Sequence, residues 1–206
     1  MIRTPENSGG EIIGKGRPAR FSHVVGFNRR IFTLVISKNP ATILKQLFLI
    51  RHAKSSWDDA NQPDIERTLN ERGLKAAPLM GRLFAEKFKS PQAWFSSPAV
   101  RAMETAKFFA KASTKPVNEI QIAPDLYSFD LQKVIGLVES CDDKFNSAIY
   151  FFHNLTIIEL LHHYTNEILS VPTCTTALVK FDVDSWKHLS RGSGALKHFD
   201  FPKKHL

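Results

Sequence analysis

Short runs of consecutive apolar residues alternate along the chain with segments whose apolar residues recur at helical spacing. The strongest runs lie at residues 47–50, 93–95 and 148–152, and runs of this length are typical of strands covered on both faces of a sheet. A weaker strand is expected at 120–122, and a final strand rich in β-branched residues at 175–183. The pattern therefore predicts a sheet whose strands are separated by helices.

Helical spacing predicts four helices, at about 70–88, 99–110, 131–138 and 156–164. Pro78 is expected to kink the first helix or to mark a late start, and Pro98 stands where the second helix would begin. This order of elements predicts an α/β fold, a three-layer α-β-α sandwich with a mainly parallel sheet. Residues 187–206 are basic and irregular, and we expect them to lie across the domain surface.

The first 44 residues differ in character from the rest of the chain. Gly and Pro interrupt them, and only the apolar stretch 31–36 could add a docking strand. We therefore predict a domain at 45–206 and a basic N-terminal extension at 1–44. The extension is expected to be disordered, or to result from a start codon assigned too far upstream, and an organelle transit peptide is the alternative.

Composition narrows the classes of protein that fit. The 206 residues are 43% hydrophobic with 16 Phe, enough for one domain with a core. The net charge of +8 falls mostly on the extension, since residues 1–45 hold eight Lys or Arg against two acidic residues. The remaining residues hold twenty against eighteen, which argues against nucleic acid as a partner of the domain. Two cysteines and no apolar stretch of membrane length predict a cytoplasmic protein that does not associate with membranes.

Arginine and histidine side chains follow three of the predicted strands. These are Arg51-His52, Ser96-Ser97 with Arg101 shortly after, and His153-Asn154. Ligands of such sheets bind beyond the carboxyl ends of the strands, so these residues are expected to converge. Guanidinium groups fit phosphate oxygens, and a neutral imidazole can attack phosphorus. The convergence predicts phosphoryl-transfer chemistry.

Four blocks of sequence carry a family resemblance. They are Leu49-Ile50-Arg51-His52-Ala53-Lys54-Ser55-Ser56-Trp57, Asp64-Ile65-Glu66-Arg67-Thr68-Leu69-Asn70-Glu71-Arg72-Gly73, Ser96-Ser97-Pro98-Ala99-Val100-Arg101-Ala102-Met103-Glu104-Thr105-Ala106, and His153-Asn154. In this order they resemble the histidine phosphatase superfamily, whose fold is phosphoglycerate mutase-like. The chain looks especially similar to the small SixA-type phosphohistidine phosphatases.

The resemblance implies a role for each matching residue. His52 would be the nucleophile that is transiently phosphorylated, while Arg51, Arg101 and His153 would hold the phosphoryl group. Substrate-binding roles would fall to three further residues: Arg67, Ser55 and Asn154. The resemblance implies no metal and no organic cofactor, and a phosphohistidine protein or a small phosphorylated molecule as substrate.

The chain departs from the family at two places. Many relatives have Gly before the second His, whereas Phe152 stands here and would either extend the buried strand or narrow the pocket. Larger branches also carry a glutamate that protonates the leaving oxygen, and this chain offers only Asp125 and Asp130 in that region. An acid, if one is used, would come from the loop after His52, which contains Asp58, Asp59 and Asp64. A phosphohistidine P–N bond has less need of such an acid.

Three hypotheses follow. The first is a phosphatase, expected to be monomeric, that hydrolyses phosphohistidine or a small phosphomonoester through a phospho-His52 intermediate. The second is a sugar-phosphate phosphatase or mutase, which would require the missing glutamate and longer insertions. The third is a non-catalytic phosphate-binding or nucleic-acid-associated protein, which would use the pocket or the basic extension for recognition alone. Trp57 is expected either at the mouth of the pocket or in ordinary packing.

Overall fold

The computed structural model describes residues 44–206. Predictions that concern residues 1–43, including the docking strand at 31–36, lie outside this part of the chain. The described strands are β1 (Lys45–Arg51), β2 (Ala93–Ser96), β3 (Ile120–Ile122), β4 (Ser147–Phe152), β5 (Thr176–Phe181) and β6 (Ala195–Asp200). The described helices are α1 (Glu71–Lys87), α2 (Val100–Ala112), α3 (Leu131–Glu139) and α4 (Asn154–Thr165).

The strands form one sheet in the order β3-β2-β4-β1-β5-β6. Strands β3, β2, β4 and β1 are parallel to their neighbours, whereas β5 runs antiparallel to β1 and β6 antiparallel to β5. The predicted α/β fold with a mainly parallel sheet is therefore confirmed. The most apolar strands, β1 and β4, lie at the centre of the sheet.

Successive residues of the central strands enter two different hydrophobic clusters. Leu47 and Leu49 of β1 pack in the cluster that contains the inner faces of α3 and α4. Phe48 and Ile50 pack in the cluster that contains those of α1 and α2. Because both faces of β1 are covered, its sequence is a continuous apolar run rather than an alternating one. The three predicted layers are thus helix, sheet and helix.

The prediction for the C-terminal segment was wrong. Residues 187–206 do not form an irregular tail, because β6 pairs with β5 and closes the edge of the sheet. Leu196 and Phe199 of β6 are half-buried against the core, while Lys197 between them belongs to an exposed edge. An edge strand of this kind has no apolar run in its sequence.

The bounds of helix α1 decide between the two predictions made for Pro78. It begins at Glu71, where the Asn70 side chain accepts a hydrogen bond from the backbone N–H of Gly73, and it continues through Pro78. A late start at the proline is therefore wrong. Among residues 44–206, no helix is long and apolar enough to cross a membrane.

Candidate active site

The carboxyl ends of β1 and β4 bring two histidines together. Arg51 and Phe152 are paired neighbours in the parallel ladder, and the next residue of each strand is a histidine. The ring centroids of His52 and His153 lie 5.1 Å apart. They share a pocket of about 430 Å³ whose lining contains all seven predicted site residues: Arg51, His52, Ser55, Arg67, Arg101, His153 and Asn154.

His52 presents one ring nitrogen to this pocket. Its Nδ1 lies 2.7 Å from the carbonyl oxygen of Ala53, so Nδ1–H donates and Nε2 carries the lone pair. The Nε of Arg101 donates to this Nε2 over 3.4 Å. Burial lowers the pKa of His52 to about 3, and the neighbouring arginine charges act in the same direction. His52 is therefore neutral at physiological pH, as a nucleophile must be.

His153 is fixed by partners on both sides of its ring. Its Nε2 lies 2.9 Å from the hydroxyl of Ser97, directly after β2, and its Nδ1 accepts from Nη2 of Arg101 over 3.2 Å. Burial lowers the pKa of His153 to about 4, with Arg101 acting in the same direction. This pairing assigns the ring proton to Nε2, where it donates to Ser97.

Arg101, in the first turn of α2, has a carboxylate on its guanidinium. Its Nη2 donates to Oδ2 of Asp64 over 2.8 Å, and its Nη1 to the Asp64 carbonyl oxygen. Asp64 Oδ2 also accepts from the hydroxyl of Tyr127 over 2.8 Å. Although partial burial acts to raise it, the hydrogen bonds from Tyr127, Arg67 and Arg101 hold the pKa of the Asp64 carboxyl well below its ordinary value.

Arg67 joins the same group from the loop between β1 and α1. Its guanidinium donates to the other carboxylate oxygen of Asp64 over 2.7 Å and to the Ser55 hydroxyl over 2.8 Å. The ring of Trp57 covers its face at 3.2 Å. The hydroxyl of Ser55 thus positions Arg67 as well as lining the pocket.

Two lining residues keep polar atoms free of protein partners. The Nε of Arg51 and the Oδ1 of Asn154 are buried without a hydrogen-bond partner among the described residues. Arg51 is anchored by Nη1, which donates to the Val171 carbonyl oxygen over 2.5 Å. Asn154 is the first residue of α4, so the positive end of that helix also points at the site. Of these groups, the Nε–H of Arg51 and the start of α4 suit an anion, whereas the Oδ1 of Asn154 is an acceptor and does not.

The remaining motif residues hold the site loops in place. Thr105 lies one turn after Arg101 on α2, and its hydroxyl accepts from the backbone N–H of Ala53 over 3.0 Å. Gly73 lies so close to the loop after His52 that a Cβ there would be 2.1 Å from the carbonyl oxygen of Lys54. The sequence blocks are thus explained partly by chemistry and partly by this close packing.

The structure decides the alternatives at the departures from the family pattern. Phe152 is fully buried in β4 and does not line the pocket, so it extends the strand. Of the candidate acids, Asp64 alone lines the pocket. Asp130 instead caps α3 by accepting from the backbone N–H groups of Gln132 and Lys133. Within the described part of the chain, no group of three His, Cys, Asp or Glu side chains is arranged to hold a metal ion.

Sequence reasoning missed three contributions to the site. Tyr127 lies in a short turn that belongs to no recognised block, and nothing in its sequence context indicates a contact with Asp64. Ser97 stands inside a recognised block directly after β2, a position that could have identified it as a partner of the second histidine. The pairing of Asp64 with both arginines depends on the conformation of a loop.

Comparison with known families agrees with the geometry. Residues 47–156 match the profile of the histidine phosphatase superfamily (branch 1). The chain belongs to the histidine phosphatase superfamily. An uncharacterized chloroplastic protein of Arabidopsis thaliana is 28% identical to this superfamily member over 167 residues, which is 76% of each chain.

Solved structures extend the likeness to about three quarters of the chain. A protein of Agrobacterium tumefaciens provisionally named phosphohistidine phosphatase SixA has a TM-score of 0.66 at 23% identity, covering 77% of this chain and 98% of its own. Protein histidine phosphatase SixA bound to tungstate has a TM-score of 0.67 at 20% identity, with the same coverage. A mycobacterial glucosyl-3-phosphoglycerate phosphatase is more distant, with a TM-score of 0.55 at 11% identity and coverages of 75% and 97%. These likenesses establish the phosphoglycerate mutase-like fold.

Proposed function

We propose that this superfamily member is a phosphatase whose substrate is phosphohistidine in a protein and whose intermediate is phospho-His52. The single observation that carries the proposal is the set of groups around His52. An unprotonated Nε2 faces a pocket where Arg101, Arg67 and Arg51 converge. Membership of the superfamily supports the phosphatase activity, and the names of the SixA structures support the substrate.

Arginines 51, 67 and 101 hold the phosphoryl oxygens in the first step of the proposed mechanism. Nε2 of His52 attacks phosphorus in line with the leaving nitrogen, the new N–P bond forms, and the P–N bond of the substrate breaks. The substrate reacts with the second nitrogen of its imidazole ring protonated, and the imidazole departs neutral because that nitrogen keeps its proton. Water then attacks phospho-His52, and inorganic phosphate and neutral His52 are released.

The proton donors that the pocket offers favour a phosphoramidate substrate over an alkyl phosphate ester. An alkoxide leaving group needs a proton donor, and the one carboxyl group in the lining, Asp64, is held ionised by its hydrogen bonds to Tyr127, Arg67 and Arg101. A phosphohistidine that is protonated on its second ring nitrogen brings the proton with it. The alternative function, a phosphatase of small esters, is supported by the likeness to the mycobacterial glucosyl-3-phosphoglycerate phosphatase.

Phosphate release from a phosphohistidine protein and from p-nitrophenyl phosphate tests the proposal. We expect release from the phosphohistidine protein by the wild type, and no release by His52→Ala. His188→Ala is the control, since this histidine lies outside the pocket with its side chain 65% exposed. Trapping of an acid-labile phosphoenzyme in the wild type alone would support the intermediate. Release only from the small ester would mean that the substrate is a small ester and not phosphohistidine. Release that persists in His52→Ala would mean that His52 is not the nucleophile.

Cytoplasmic location remains a prediction. The Arabidopsis relative is named chloroplastic, which favours the alternative that residues 1–43 are a transit peptide. A fusion of residues 1–43 to a fluorescent protein separates the two, because a transit peptide would carry it into the organelle and a cytoplasmic extension would not.

A further inference from the structure

Exposed aromatic side chains are concentrated at the mouth of the active-site pocket. Among residues 44–206, Trp57 and Phe129 are the two aromatic side chains that are mostly exposed, at 72% and 75%. Both line the pocket that contains His52. Leu155, 58% exposed, lines it as well. Large apolar side chains left in water near a ligand site mark a surface that a partner group covers.

These side chains come from three separate parts of the chain. Trp57 belongs to the loop after β1, Phe129 to the segment before α3, and Leu155 to the first turn of α4. Their meeting at one pocket is therefore a product of the fold and not of a local apolar run. Trp57 is held in place by its stacking on the guanidinium of Arg67 at 3.2 Å.

The polar groups of the pocket are grouped around the anion-binding residues. Asp64 is bound to Arg67, Arg101 and Tyr127. Apart from these and the other predicted site residues, Lys54 and Thr173 complete the polar part of the lining. A sugar bears a hydroxyl on nearly every carbon and needs many polar partners, whereas a flat ring needs apolar surface.

We propose that Trp57 and Phe129, with Leu155 beside them, form a subsite for a planar ring that carries the phosphoryl group. The subsite would make the enzyme prefer phosphate on a ring, such as imidazole or phenol, to phosphate on a polyol. This inference rests on the proposed function for its assumption that the pocket holds a phosphoryl group. It goes further by assigning the recognition of the leaving group to these side chains.

Phosphonates test the subsite independently of turnover. Phenylphosphonate and methylphosphonate present the same anion and cannot be hydrolysed, so calorimetric dissociation constants compare the ring with a methyl group directly. We expect the wild type to bind phenylphosphonate at least about fivefold more tightly, the size of one or two aromatic contacts. Equal affinities for the two would overturn the subsite.

Variants assign the preference to particular side chains. Phe129→Ala is expected to reduce the preference about threefold while methylphosphonate binding stays unchanged, and Trp57→Phe is expected to preserve the preference. Ile168→Ala is the matched control, because Ile168 is 88% exposed and does not line the pocket. A double variant, Phe129→Ala with Trp57→Ala, that kept the full preference for phenylphosphonate over methylphosphonate would also overturn the subsite.

The subsite and the proposed function fail in different ways. Absence of turnover with intact ring preference would reject the phosphatase and keep the subsite. Turnover that is lowered equally for phosphoimidazole and for glycerol 3-phosphate in Phe129→Ala would keep the phosphatase and reject the subsite.

Discussion

The carboxylate of Asp64 binds the guanidinium groups of Arg67 and Arg101, which a phosphorylated substrate would need. This carboxylate accepts from Arg101, Arg67 and Tyr127 at 2.7–2.8 Å. A substrate dianion brings a like charge to the same guanidinium groups. The carboxylate therefore holds the two arginines in place and competes with a bound anion for them.

Replacement of this carboxylate should strengthen anion binding. We expect Asp64→Asn to bind sulfate on the order of tenfold more tightly than the wild type, because one like charge is removed. Isothermal titration calorimetry at constant ionic strength measures the change. Asp58→Asn is the matched control, since Asp58 lies in the same loop but does not line the pocket. Weaker binding in Asp64→Asn would mean that Asp64 serves only to position the arginines.

The two buried histidines should make stability depend on pH. Their folded pKa values are about 3 for His52 and about 4 for His153, whereas the unfolded value is about 6.5. Below about pH 6.5 the unfolded state takes up more protons, so the free energy of unfolding falls as the pH falls.

Urea unfolding at pH 7 and pH 5 measures this dependence. Each histidine is expected to remove on the order of 1–2 kcal/mol of stability between these pH values. His52→Ala should lose correspondingly less than the wild type over the same interval. An identical loss in the two proteins would mean that protonation of His52 does not contribute to the pH dependence.

At the scale of elements, the fit between α1 and the loop after His52 depends on Gly73. Its position allows the helix to contact the Lys54 carbonyl oxygen, where a Cβ would lie 2.1 Å away. The backbone N–H of Asn70 also donates to this oxygen over 3.0 Å. Residues 54–57, which position Arg67, are thereby fixed to the start of the helix.

Two glycine substitutions separate close packing from helix propensity. Gly73→Ala is expected to lower the free energy of unfolding by about 1–3 kcal/mol, since the methyl group overlaps a backbone oxygen. Gly136→Ala in α3 is the control, because no atom lies within 4 Å of its added Cβ. It should instead raise stability by about 0.5–1 kcal/mol. Chemical denaturation of both variants checks the opposite signs.

The sequence predicts those elements whose burial is uniform. Strands β1 and β4 are covered on both faces, so their apolar runs identify them and place His52 and His153 at one edge of the sheet. The edge strand β6 is half-exposed, so its sequence mixes apolar and polar residues and contains no apolar run that would predict a strand. The partners of Asp64 could not be predicted, since they depend on how a loop without periodicity folds back onto α2 and Tyr127.

At the scale of the whole molecule, the domain predicted at 45–206 contains every residue of the candidate site. The superfamily match begins at residue 47. The start of β1 is fixed within the domain, because the buried amine of Lys45 donates to the carbonyl oxygens of Asp143 and Phe145 over 2.9 and 3.0 Å.

Removal of residues 1–43 should therefore leave the enzyme intact. We expect the shortened chain to keep its melting temperature and, within about twofold, its kcat/KM, because residues 44–206 contain the hydrophobic clusters and the site residues described above. Differential scanning fluorimetry and phosphatase assays compare it with the full chain. A shortened chain that unfolds at lower temperature would assign a structural role to the extension.

The pairing of β1 with β4 has a consequence for how the protein acquires its activity. Gln46 pairs with Ser147 across an interval of about 100 residues, and contacts so distant in sequence form slowly. A slip of one residue would turn the side chains of β1 to the opposite face and displace His52 from His153. Helices and local turns involve contacts that are close in sequence and can form early in refolding. Recovery of phosphatase activity has to wait for the long-range pairing of β1 with β4.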